Sequence, residues 1–154
     1  MANYFFDSSS LMKRYAKEQG KNLVLNIFRR KSNHRINIAE ITYVEIISAL
    51  SRRHRGKTIS TANFQRSLTR FRRAFQTKFY VTPISLQLIE AAASLAEKHF
   101  LRGYDAVQLA CALEIEKTRK SIRASSIIFV SADNALNQAA QAEGLAVDNP
   151  NNYP

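Results

Sequence analysis

The sequence predicts an α/β fold in which a parallel sheet is covered by helices on both sides. Two observations carry this expectation. Short, continuously apolar runs, rich in aromatic and β-branched residues, alternate along the chain with longer segments of helical period. Those runs lack the in–out alternation of a half-exposed strand, and strands buried on both faces read this way. Composition agrees, since 45% of the 154 residues are hydrophobic, enough for one compact domain spanning residues 1–154. Only four glycines and three prolines are present, so long linkers are not expected.

Residues 3 to 6 form the first expected strand. Ser8 or Ser9 can cap a helix that continues through Leu11, Met12, Tyr15 and Ala16 to a stop at Gly20. A second helix is expected over Asn22 to Lys31, where Leu23 and Ile27, and Val24 and Phe28, share a face. Arg35 to Ile38 reads as a short extended piece, and a long helix from about Ala39 to His54 follows. Ser60 or Thr61 begins another, with Phe64, Leu68, Phe71 and Phe75 as its apolar stripe and arginines on the flanks. Phe79 to Thr82 reads as a strand stopped by Pro83. Ser85 caps a helix to about His99, and Arg102 to Lys117 is the next. Ile127 to Val130 is a strand, Asp133 to Glu143 a helix ended by Gly144, and Leu145 to Val147 a last short strand. The polar tail, Asp148 to Pro154, is expected to be a surface extension.

Charge points to the partner. The chain carries a net +11, with a pI near 10.2, and the excess is localised. No acid occurs between Glu45 and Glu90, while Arg52, Arg53, Arg55, Lys57, Arg66, Arg70, Arg72, Arg73 and Lys78 all do. Such a block attracts polyanions, of which nucleic acid is the commonest in a cytoplasm. A solvated helical face, or a surface for an acidic protein, are the plainer alternatives. The single Cys111 excludes an internal disulfide and fits a reducing compartment. No apolar run reaches the length of a membrane span and no secretory leader is evident, so a cytoplasmic location is expected.

Four of the twelve acids stand in unusual places. Asp7 directly follows the first strand, and Asp133 follows Ile127 to Val130 after two small residues. Groups just beyond the carboxyl ends of parallel strands line the binding crevice, so neighbouring strands would aim both acids into it. Taken singly, each is more readily a helix N-cap. Asp105, in LRGYDAVQLACAL, shares a helical stripe with Leu101 and Leu109 and is expected to be buried. Glu45, in ITYVEIISAL, lies between Ile41 and Ala49 on a helix apolar nearly all round, and is expected to be buried with it. Glu40 is excused as a first-turn acid favoured by the helix dipole. A buried carboxylate must be paired, protonated or metal-bound, and a salt bridge to an arginine is the structural explanation for Asp105.

Four converging carboxylates repel one another unless a cation neutralises them, and all-oxygen ligation suits Mg²⁺ or Mn²⁺. Cys111 reads as a small core residue, and His34, His54 and His99 are too scattered for a zinc site. No Gly-rich phosphate loop or nucleophile elbow occurs. A carboxylate-bound divalent metal beside a basic surface suits phosphodiester hydrolysis, with Arg52, Arg53, Arg70, Arg72 and Arg73 holding the polyanion.

The ordered segments YFFDSSSLMKRY, ITYVEIISALSRR, LRGYDAVQLACAL and IIFVSADNAL, with the closing EGLAVDNP, resemble the PIN-domain ribonucleases across essentially the whole chain. In detail they resemble a VapC-type toxin of a type II toxin–antitoxin pair. The resemblance implies a PIN-like three-layer α/β/α sandwich with a central parallel sheet. It implies that Asp7, Glu45, Asp105 and Asp133 bind one or two Mg²⁺ or Mn²⁺ ions and cleave single-stranded or loop regions of RNA. It implies that Ser9 orients Asp7 or a metal-bound water, and that a homodimer is held inactive by a cognate antitoxin. Two rival readings stand beside this one. One is a PIN-like nuclease acting in RNA processing or on DNA outside a toxin pair. The other is a non-catalytic nucleic-acid-binding module whose acids are caps and salt bridges.

Overall fold

The computed structural model describes residues 1–29, 31 and 33–154. Its centre is β1 (Asn3–Phe6), flanked by β2 (Arg35–Ala39) on one side and β4 (Ile127–Val130) on the other. Tyr80–Thr82 forms β3 and Ala146–Asp148 forms β5, giving the order β3-β2-β1-β4-β5 with every pair parallel. Parallel neighbours need crossovers, and the helices supply them. They are α1 (Ser8–Met12), α2 (Lys21–Ile27), α3 (Thr42–Arg55), α4 (Thr61–Thr77), α5 (Leu86–His99), α6 (Gly103–Ser121) and α7 (Asn134–Ala142).

The apolar runs are continuous because the sheet has two covered faces. Side chains alternate along a strand, so Phe5 joins one core and Phe6 the other. Phe6, Ile36, Ile38 and Val130 pack under α1 to α4, against Leu11, Val24, Ile46, Leu50, Leu68 and Phe71. Phe5, Ile127 and Phe129 pack under α5, α6 and α7, against Leu88, Leu109 and Leu136. Phe5 and Phe129 face one another across the β1–β4 ladder and stack with centroids 5.6 Å apart. This is the expected three-layer α/β/α sandwich. Cys111 is buried in the second core, and burial pushes its thiol up to about 12.

Several expected boundaries are corrected. The first helix ends at Met12, not near Gly20, because Lys13 turns inward. Its buried ammonium donates to the Gln19 carbonyl (2.8 Å) and to Asn151 Oδ1 (2.7 Å), which tightens the following chain into turns. Gly20 opens α2 instead of closing α1; its φ of +79° is left-handed, and a Cβ there would overlap the Pro150 carbonyl. The helix expected over Asn22 to Lys31 is observed as Lys21–Ile27, and the expected range crosses Arg30, which lies outside the described residues. Helix α3 begins at Thr42 and not at Ala39, because Ala39 still pairs with Thr82 and the Glu40 N–H donates to the Thr82 carbonyl. Glu40 therefore precedes the helix and accepts from the Ile84 N–H (3.0 Å). The tail is partly docked: Asp148 ends β5, and Pro150 is buried at the start of a 3₁₀ turn, Pro150–Asn152.

Candidate active site

The sheet places a crevice beside β1, because the chain leaves the central strand towards β2 on one side and reaches β4 on the other. Phe6 is in register with Val130, so the residues that follow them, Asp7 and the Ser131–Asp133 turn, emerge side by side. Asp7 is buried. One of its oxygens accepts from the Ser10 N–H (2.9 Å), which caps α1, and the other from Ser131 Oγ (2.8 Å). Ser9 Oγ lies 2.9 and 2.7 Å from the two oxygens and accepts from the Ala132 N–H (3.0 Å). Ser9 thus ties the β1–α1 turn to the β4–α7 turn. The cap role expected of Ser8 or Ser9 belongs to Asp7 itself, and Asp133 likewise caps α7 through the Leu136 N–H (2.9 Å). Capping uses one carboxylate oxygen of each acid; the other accepts from Ser131 in Asp7 and from Arg102 in Asp133.

Glu45 reaches the same crevice from the first turn of α3. It is half-buried where full burial was expected, since α3 leaves Tyr43 and Val44 exposed. Its two oxygens are fixed from opposite sides, by Gln108 Nε2 (2.6 Å) and by Ser8 Oγ (3.0 Å). Gln108 is fully buried on α6 and is anchored by a second bond from the same nitrogen to Thr42 Oγ1 (3.0 Å). Asp105, on the first turn of α6, is also half-buried and not part of the core. It is held by Arg102, whose Nε donates to Asp105 Oδ2 (3.1 Å) and whose Nη2 donates to Asp133 Oδ2 (3.3 Å). That arginine side chain is 82% exposed, so it crosses the mouth of the crevice from the solvent side.

Asp7, Glu45, Asp105 and Asp133 line one cavity of about 500 Å³, with Ser8, Ser9, Arg102 and Tyr104. Burial raises the carboxyl of Asp7, against the hydrogen bonds from Ser10, Ser9 and Ser131. Burial also raises Glu45, and the charges of Asp7 and Asp105 push it the same way. Asp105 rises through burial and through Asp133, more than the Arg102 contact lowers it. The cluster is short of positive charge, and a hard cation held by oxygen donors fits that shortage. As they stand, no three acidic, histidine or cysteine side chains among the described residues are grouped tightly enough to hold a metal ion. Arg102 occupies the cationic position between two of the acids.

Of the basic residues, Arg52 and Arg53 line an adjoining cavity of about 680 Å³ that also contains Ser8, Ser9 and Glu45. Arg53 is paired with Glu18. Arg70, Arg72 and Arg73 lie exposed on α4 and border neither cavity, and the Arg70 guanidinium sits 5.8 Å from the Tyr15 ring centre. The histidines serve elsewhere: His34 accepts from the Ala2 N–H, His54 stacks on Phe64, and His99 meets Glu143. Sequence reasoning missed Gln108, Ser131, Ser8 and Arg102. The one available signal was Gln108, a polar residue one turn from Asp105 inside an apolar helix.

A model of the PIN domain family matches residues 4–142. Solved structures that share the fold include the following three. A toxin–antitoxin complex from Klebsiella pneumoniae is 18% identical, with a TM-score of 0.58 over 96% of this chain and 97% of that one. VapBC2 from Rickettsia felis, bound to a DNA fragment from its promoter, is 15% identical, with a TM-score of 0.59 over 96% and 98%. FitAcB from Neisseria gonorrhoeae is 15% identical, with a TM-score of 0.64 over 96% and 97%. No curated protein sequence matches the chain significantly.

Proposed function

Because the chain belongs to the PIN domain family, we propose that it is a Mg²⁺- or Mn²⁺-dependent endoribonuclease and the toxin of a toxin–antitoxin pair. The observation that carries this reading is the meeting of four carboxylates, from four separate segments, in one cavity at the carboxyl ends of two neighbouring parallel strands. A binding module whose acids were only caps and salt bridges has no need of Glu45, which caps no helix and pairs with no cation among the described residues. Each acid is also held by its own support. Ser9 and Ser131 hold Asp7, Ser8 and Gln108 hold Glu45, and Arg102 joins Asp105 to Asp133.

Asp7, Glu45, Asp105 and Asp133 are the residues that would hold the metal. When bound, the ion supplies charge neutralisation at the scissile phosphate and acidifies the attacking water. The chain contributes the rest. The supported carboxylates would fix the position of the ion, and the Arg52 side of the groove binds the flanking backbone. Arg102, which bonds Asp105 and Asp133 from the solvent side, would share those two carboxylates with a bound cation. The toxin role and the cognate antitoxin partner draw support from the likeness to the Klebsiella toxin–antitoxin complex and to VapBC2 of Rickettsia; the homodimer is proposed on the family resemblance alone.

The test is cleavage of total RNA with mapped ends. Wild type with Mg²⁺ or Mn²⁺ cuts at defined positions, EDTA stops it, and Asp105→Asn lowers the rate by at least about 100-fold, an effect of the size seen when one transition-state contact is lost. An Asp105→Asn protein of full activity removes that residue from the site.

A further inference from the structure

The cavity with the acids and the cavity with Arg52 share Ser8, Ser9, Glu45 and Tyr104, so they are two ends of one groove. Its wall is anomalous. Tyr104 is 59% exposed and Val44 55% exposed, two large apolar side chains left in solvent beside a strongly charged site. Neither is needed by the core. Helix α3 forms the floor: Val44, Ser48 and Arg52 follow at four-residue intervals and so lie on one face, with Arg52 about 12 Å along the axis from Val44. Arg52 Nη1 donates to Ser48 Oγ (2.9 Å) and has no acidic partner among the described residues, whereas Arg53 is committed to Glu18.

An aromatic side chain, a second apolar one and an arginine with no acidic partner among the described residues, all along one groove, are the parts of a single-strand site. Bases stack on aromatic side chains while cations track the phosphates. We propose that Tyr104, which shares the groove with Val44, stacks one unpaired base next to the scissile phosphate, and that Arg52 binds a phosphate farther along the same strand. This subsite rests on the ribonuclease reading and sharpens it. It admits a base only when that base is out of a duplex, and stacking makes it tolerant of which base it is.

The experiment uses the full chain in EDTA with short single-stranded oligoribonucleotides carrying 2-aminopurine at each position in turn. On wild type, fluorescence at one position is quenched by stacking, and a duplex of the same sequence does not compete. Tyr104→Phe keeps the quench. Tyr104→Ala and Tyr104→Leu lose it and weaken binding about 5- to 150-fold, the range for one lost base stack. Arg52→Gln keeps the quench but lowers the salt slope by about one phosphate contact. If Tyr104→Ala and Tyr104→Leu bind and quench like wild type while Arg52→Gln still flattens the slope, the stacking subsite is wrong and the ribonuclease reading stands. If wild type binds no single-stranded RNA in EDTA, the subsite is wrong, and cleavage with Mg²⁺ or Mn²⁺ still decides the ribonuclease reading.

Discussion

Ser9 holds the site together at the scale of one atom. Its hydroxyl contacts both oxygens of Asp7 and receives the Ala132 N–H, so it joins the turns after β1 and β4. Ser9→Ala leaves a half-buried amide and a buried carboxylate each one partner short. The expected loss is about 1–3 kcal/mol of stability, measured by urea unfolding of the metal-free protein. A Ser9→Ala protein as stable as wild type would mean that water replaces the hydroxyl without cost. The four acids were legible because their positions are improbable: two end strands, and two interrupt apolar helices. Their supports were not. Ser8, Ser131 and Arg102 are ordinary residues in ordinary turns, and only the pairing of β1 with β4 brings Ser131 to Asp7. Burial was overread for Glu45 and Asp105, because helical spacing gives the face of a residue but not how far its neighbours extend over it.

Helix α6 works at both of its ends. Its first turn presents Asp105 and its third residue after that, Gln108, fixes Glu45 on α3. Near its other end Glu116 accepts from the Ile127 N–H (2.9 Å) and ties the helix to the start of β4. Burial pushes the Glu116 carboxyl up, but the bonds from Ile127, Ser126 and Lys120 outweigh it and hold the group below the usual glutamate range. An acid lowered by folding stabilises the fold above its unfolded pKa, about 4.3, and that contribution fades as pH falls through the lower folded value. The stability gap between wild type and Glu116→Gln should therefore be full at neutral pH and close below about pH 4. Urea midpoints measured across that range check it; parallel curves would show that the carboxylate charge contributes nothing. Element existence and order were readable from apolar period and caps, and Ser60 and Ser85 cap α4 and α5 as expected. The first helix was overextended because nothing local marks Lys13 as inward-facing. Its partners are the Gln19 carbonyl and Asn151, the latter far along the chain.

At the scale of the molecule, charge and topology divide the labour. The parallel sheet gathers acids at one end of β1 and β4, while α3 carries the chain from Glu45 in its first turn to Arg52 and Arg53 in its last. A chain of net +11 thereby keeps a small acidic cavity beside a basic approach, the arrangement a polyanion-cleaving site needs. The central claim is that this cavity binds a divalent cation, and titration with Mn²⁺ followed by electron paramagnetic resonance tests it most directly. Wild type should remove free Mn²⁺ from the spectrum in a saturable way, and Asp105→Asn, folded to the same melting profile, should not. Equal uptake by the two proteins, or none by wild type at millimolar Mn²⁺, would contradict the account.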